Sequence, residues 1–156
     1  MGLFSKNKIK IHMEKLNFKP GDLIEGHVVL NLKKPIEARE LRISFIGQRL
    51  EEKRDADGDW VRNYVYVFEF SQTLSPKGEY QNESFEFEIK IPDNVTEVSK
   101  PPNIPEYDGA VGKLVKFSAA MSGIRYYPVE WLIKVQLDVP MKFDIKKEQK
   151  IIISES

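Results

Sequence analysis

No cysteine occurs anywhere in the chain. That excludes a disulfide framework, a thiol nucleophile and any zinc or redox site built on thiolates, and it fits a reducing cytoplasm. Long apolar runs are missing too, so no stretch reaches the length of a bilayer-spanning helix, and the opening MGLFSKNKIKIH lacks the apolar core of a signal peptide. Met1-Gly2 is followed by Ser5 and Lys6, which misses the myristoylation pattern by one place. Net charge is absent as well: 24 basic residues cancel 24 acidic ones. A duplex nucleic-acid binder needs a cationic excess to neutralise phosphates, so the balance excludes nucleic acid as the expected partner. Histidine is scarce, with only His12 and His27. Neither sits in a nucleophile elbow or a glycine-rich loop, and no Walker, dinucleotide or HExxH pattern occurs, so the expectation is a protein that is not an enzyme and needs no cofactor.

What is present is alternation with period two. At 156 residues the chain suits one domain, able to bury roughly two-thirds of its unfolded surface. Ile9, Ile11 and Met13 alternate with Lys8, Lys10 and His12; after the turn Lys19-Pro20-Gly21-Asp22, Ile24, Gly26, Val28 and Leu30 alternate with Glu25, His27 and Val29. Pairing these strands about the Pro-Gly turn puts Ile9 near Leu30, Ile11 near Val28 and His12 opposite His27, with both apolar sets on one face. Lys33-Lys34-Pro35 reads as a break. Leu41, Ile43 and Phe45 begin a third strand, and Arg54 to Asp59 form a charged hairpin tip containing Asp57-Gly58. Residues 64–70, YVYVFEF, are apolar on both faces and read as a central strand. Phe85, Phe87, Ile89 and Ile91 alternate with Glu86, Glu88 and Lys90 up to Pro92. Residues 92–112, with four prolines, read as a long excursion, and residues 113–122 as an edge strand or at most one short helix. Alternation resumes from Val129 to Val139, and a last strand spans about Phe143 to Ile153. Turns at short intervals leave no room for βαβ crossovers, so the fold class is all-β, an antiparallel sandwich over 8–153 behind a flexible N-terminus, 1–7.

These segments, in this order, carry a resemblance. Lys19 to Val28 is similar to the hairpin that opens the arrestin N-terminal fold. Leu41 to Gly47 resembles its third strand. Lys77-Gly78 with Phe85 to Pro92, and Gly123 to Tyr126 with Val129 to Pro140, resemble two later segments of it. By pattern the chain resembles the α-arrestins and the bacterial arrestin-like sporulation-control proteins. The resemblance implies an immunoglobulin-like sandwich of arrestin N-terminal type, acting as a cytoplasmic, non-enzymatic adaptor or scaffold for a protein partner. Arrestins pair two such sandwiches, and the resemblance covers one. Pro101-Pro102-Asn103-Ile104 does not match the ligase-recruiting motif of α-arrestin tails.

For a partner site, the expected routes are an exposed sheet edge and the end loops, with Pro101, Pro102, Ile104 and Tyr107 as contacts in the proline-rich excursion. Lys8 and Lys10 stand where arrestins engage receptor phosphates, by resemblance; by pattern they are the wet face of an outer strand. His12 and His27, with Glu14 and Glu25 nearby, have ligand chemistry for zinc or nickel. With no second shell to orient the rings they read as solvent-facing, and no metal is expected. Glu51-Glu52 are paired carboxylates, and Asp55-Asp57-Asp59 read as a charged hairpin tip rather than a calcium loop, whose closing glutamate is missing. Trp60, Tyr64 and Tyr66 read as cross-strand and core packing rather than a sugar-stacking platform. A homodimer is the alternative, because Val29, Ile46, Leu50 and Val65 are apolar on the second face of their strands.

Overall fold

The computed structural model describes residues 8–99 and 124–154. The segment 1–7, the contacts Pro101, Pro102, Ile104 and Tyr107, and the ambiguous stretch 113–122 lie outside the described residues. Eight strands form: β1 (Lys8–Met13), β2 (Asn17–Phe18), β3 (Leu23–Ala38), β4 (Glu40–Arg54), β5 (Trp60–Ser75), β6 (Gly78–Lys90), β7 (Ile124–Asp138) and β8 (Ile145–Ile153). One sheet runs β1-β3-β6, the other β2-β8-β7-β4-β5. They face each other across a core of Ile24, Val28, Leu30, Leu41, Ile43, Phe45, Ile89, Ile133, Val135 and Leu137, all fully or almost fully buried. Those are the residues that the alternation assigns to an inner face, so the sandwich follows from the pattern directly.

The β1–β3 register is the one expected: Ile9 faces Leu30, Ile11 faces Val28 and His12 faces His27. The link between them is more than a turn. After Met13 the chain crosses to the second sheet, where β2 pairs in parallel with the end of β8. It then returns through Gly21, whose φ of 89° and amide bond to the Ile91 carbonyl (3.0 Å) set the corner. Asp22 stiffens this turn by accepting the Lys19 amide at 2.8 Å. That bond, with Lys15 at 3.6 Å, holds its carboxyl below the usual aspartate range.

Three expectations are corrected. Lys33-Lys34-Pro35 does not end its strand. β3 runs on to Ala38, and the stretch from Asn31 to Ile36 faces only Asn82 to Tyr80, so the surplus bulges out where a proline needs no ladder bond. β7 begins at Ile124, not Val129, because a second irregularity opposite Arg49 to Glu51 accommodates Pro128. β5 is not central: among the described residues it pairs only with β4 and forms the edge of its sheet.

The two flanks therefore differ. On one, β1 packs beside β8 and the crossing into β2 ties the sheets together. On the other, β5 and β6, joined by the short turn at Pro76-Lys77, are both edge strands. Tyr80 pins that turn by donating its hydroxyl to the Pro76 carbonyl. A 3-10 helix, Val95–Ser99, contacts β5 and buries Val95 in the core.

Candidate functional site

β5 is 16 residues long, yet its only charged residues are Arg62 and Glu69, and it contains no proline or lysine. An exposed edge offers a row of free N–H and C=O groups. Edges not meant to pair are blunted by charge, proline or brevity. The other edges carry that protection: β6 presents exposed Glu79, Glu83, Glu86 and Glu88; β1 is six residues with exposed Lys8 and Lys10; β2 is two residues. β5 has two irregularities, at Val67 and at Leu74 near its end, and presents aromatic residues along the stretch from Trp60 to Tyr66. Tyr64 is 56% exposed and Tyr66 48%, with Trp60 and Phe70 also open to solvent. Trp60, Tyr64 and Tyr66 were expected in cross-strand and core packing; they lie on the outer face of the sheet, opposite Arg54, Leu50 and Gln48 of β4, and so are not part of the core.

At the Trp60 end, the outer face of the sheet carries a charged cluster. Arg62, Glu52 and Arg125 lie directly opposite one another on β5, β4 and β7. Glu52 is buried. Its Oε1 accepts Arg62 Nε at 2.9 Å and the Tyr127 hydroxyl at 2.8 Å, and Oε2 lies 3.5 Å from Arg125 Nη1. The Tyr127 hydroxyl, with Arg62 and Arg125, holds the Glu52 carboxyl below the usual glutamate range despite its burial. The same hydrogen bond raises the Tyr127 hydroxyl above the usual tyrosine value. The Trp60 ring is covered by the Arg125 guanidinium at 4.0 Å and by Arg54 at 4.9 Å.

On the opposite face of β4, Arg49 is 98% buried, with Nη2 3.1 Å from Glu51 Oε1 and its guanidinium 5.2 Å from the Tyr126 ring centroid. The paired carboxylates Glu51 and Glu52 thus face opposite sides of β4, each in its own ion pairs. The tip itself is Asp55 to Asp59, where Asp55 Oδ1 accepts the amides of Asp57 and Asp59, both at 2.9 Å.

The remaining sequence candidates are dispersed. Lys8 and Lys10 are exposed on the outer face of β1. His12 and His27 stack with centroids 4.8 Å apart and planes 19° from parallel. Among the described residues no three or more His, Asp or Glu side chains converge to hold a metal ion. They also line a cleft of about 1040 Å³, open to solvent, with Glu25, Glu86 and Glu88. The apolar residues suggested for a dimer do not form one patch. Ile46 is buried, Val29 lies on the other sheet, and Val65 faces the same side as Arg49, opposite to Leu50.

Residues 8–156 match the family described as Arrestin (or S-antigen), N-terminal domain. The chain belongs to the arrestin family. Among solved structures it is similar to Spo0M, a sporulation control protein from Bacillus subtilis, with a TM-score of 0.59 and 16% identity. That likeness covers 98% of this chain and 51% of the other, so the chain spans about half the length of Spo0M. At this identity it shows the arrestin sandwich and nothing finer. No curated protein matches the chain. Among the described residues no helix is long and apolar enough to cross a membrane.

Proposed function

We propose that this arrestin-family domain is a non-enzymatic protein-interaction module, an adaptor or scaffold, that takes an extended segment of a protein partner along the edge of β5, which among the described residues pairs only with β4. The observation that carries the reading is the sparsely charged, aromatic 16-residue edge in a molecule whose other edges are more heavily charged or very short. Strand addition supplies main-chain hydrogen bonds, and alternate side chains select the sequence. Exposed tyrosine, tryptophan and arginine are the residues that dominate binding energy at protein interfaces. The arrestin family membership, the lack of a nucleophile–base constellation in the sequence and the lack of cysteine agree with a non-catalytic role in the cytoplasm.

The test places a lysine on the edge. Val65→Lys and Tyr66→Lys add the charge that blunts natural edges at two exposed positions outside the core cluster. Both variants are expected to stay folded by circular dichroism and to lose partners captured by the wild-type domain. Retention of those partners by both variants would overturn the edge. Light scattering on the wild type separates the alternative occupant, a second copy: a dimer that Val65→Lys converts to monomer would put the same edge to use in self-association.

A further inference from the structure

We propose, resting on the β5 edge as the partner site, that the segment taken there is acidic where it crosses the Trp60 end, and that Arg62, Arg125 and Arg54 read its carboxylates. Two guanidinium groups, Arg62 and Arg125, pair with a single carboxylate on this face, and a third, Arg54, stacks on Trp60 beside them. Glu52 is saturated: both oxygens are engaged and its side chain is 4% exposed, whereas the side chains of Arg62 and Arg125 are 70% and 57% exposed. A guanidinium has five N–H donors, and the contacts with Glu52 leave most of those on Arg62 and Arg125 facing solvent. Arg54 forms no ion pair with the described residues and instead stacks on Trp60. The cluster is therefore a cationic surface held in place by a buried anion and an indole, which costs an incoming ligand little side-chain ordering.

Geometry sets the pattern. A strand added to β5 puts side chains about 5 Å from those directly opposite. On the outer face these β5 positions are Trp60, Arg62, Tyr64 and Tyr66, which pair there with Arg54, Glu52, Leu50 and Gln48 of β4. A carboxylate opposite Arg62 reaches the free guanidinium donors, and residues two and four places along meet Tyr64 and Tyr66, which favour apolar side chains. The acidic β6 edge on the same flank repels such a segment, so charge directs it to β5.

The experiment uses two fluorescein-labelled peptides of about twelve residues, long enough to run most of an edge strand. Each carries Val at the two positions that meet Tyr64 and Tyr66 and Thr on its other face; at the position opposite Arg62 one has Glu and the other Gln. Anisotropy is read against the wild-type protein, the triple variant Glu52→Gln/Arg62→Gln/Arg125→Gln, Arg54→Gln, and Val65→Lys. The triple variant removes the buried carboxylate with its cations, so no unpaired charge is left to unfold it; Arg54→Gln breaks no ion pair and gives an independent reading. The acidic peptide is expected to bind about tenfold more tightly than the neutral one. That preference should vanish in the triple variant and shrink in Arg54→Gln, with the neutral peptide's affinity unchanged in both. Equal binding of the two peptides to wild type overturns acidic recognition and leaves the edge standing. Undiminished binding of the acidic peptide to Val65→Lys overturns the edge. Binding of neither peptide overturns both, as does a protein dimer that the acidic peptide fails to dissociate.

Discussion

Gly47 shows what a single hydrogen does here. A Cβ at this position would lie 2.5 Å from Cζ3 of Trp131, its neighbour on β7, so the indole occupies the space of the missing side chain. The ring packs with Phe45 at 5.4 Å and Phe68 at 5.9 Å. Gly47→Ala is expected to lower stability by about 1–3 kcal/mol in urea unfolding, through overpacking. Trp131→Phe should restore part of that loss, because the two sites are coupled. Arg49 is the opposite case, a large buried cation whose value depends on Glu51. Arg49→Leu leaves the buried Glu51 with the exposed Lys53, 3.8 Å away, in place of the buried guanidinium, and should cost about 3 kcal/mol; adding Glu51→Leu should recover most of it. The Glu52–Tyr127 bond gives a pH signature. Glu52 titrates below its ordinary range when folded, so its contribution is present above the ordinary glutamate value and is lost as pH falls through the lowered one. Removing the hydroxyl in Tyr127→Phe should move the Glu52 carboxyl upward in a carbon NMR titration and weaken the protein on the alkaline side of that transition; an unmoved carboxyl would contradict the assignment. None of these groups was legible as a site. Glu52 meets Arg125 across 73 positions of sequence, and a local pattern of charges cannot show that encounter.

At the scale of elements, legibility followed the number of wet faces. β1, β3 and β6 have one apolar and one polar face, and the pattern alone gave the β1–β3 register down to His12 opposite His27. β5 has apolar residues on both faces, which describes a central strand and an aromatic edge equally well; only the pairing partners decide. Lys33-Lys34-Pro35 looked like a stop because proline cannot donate to a ladder, and the bulge removes the need for that donor. The hairpin tip was readable because Asp55, Asp57 and Gly58 are local: Gly58 has φ of 86°, and Asp55 caps two amides. Asp55→Ala should therefore loosen the β4–β5 turn by about 1 kcal/mol, the scale of a lost side-chain cap, and speed amide exchange at Asp57 and Asp59 first. Unchanged exchange there would show that the turn holds without the carboxylate.

For the whole molecule, the decisive feature is asymmetry between flanks. One is closed by β1, β2 and β8; the other leaves β5 and β6 with no neighbouring strand among the described residues. The fold and the family could be read from the order of motifs, and residues 8–156 match the arrestin N-terminal domain. The open flank could not, because it depends on which strand ends each sheet. The most direct measurement is amide hydrogen exchange by NMR, with and without the Glu-containing peptide. Strand addition to β5 predicts that alternate amides from Trp60 to Ser75 slow on binding, while those of β1 and β6 keep their rates. Protection appearing on β1 or β6, or on no strand at all, would contradict it.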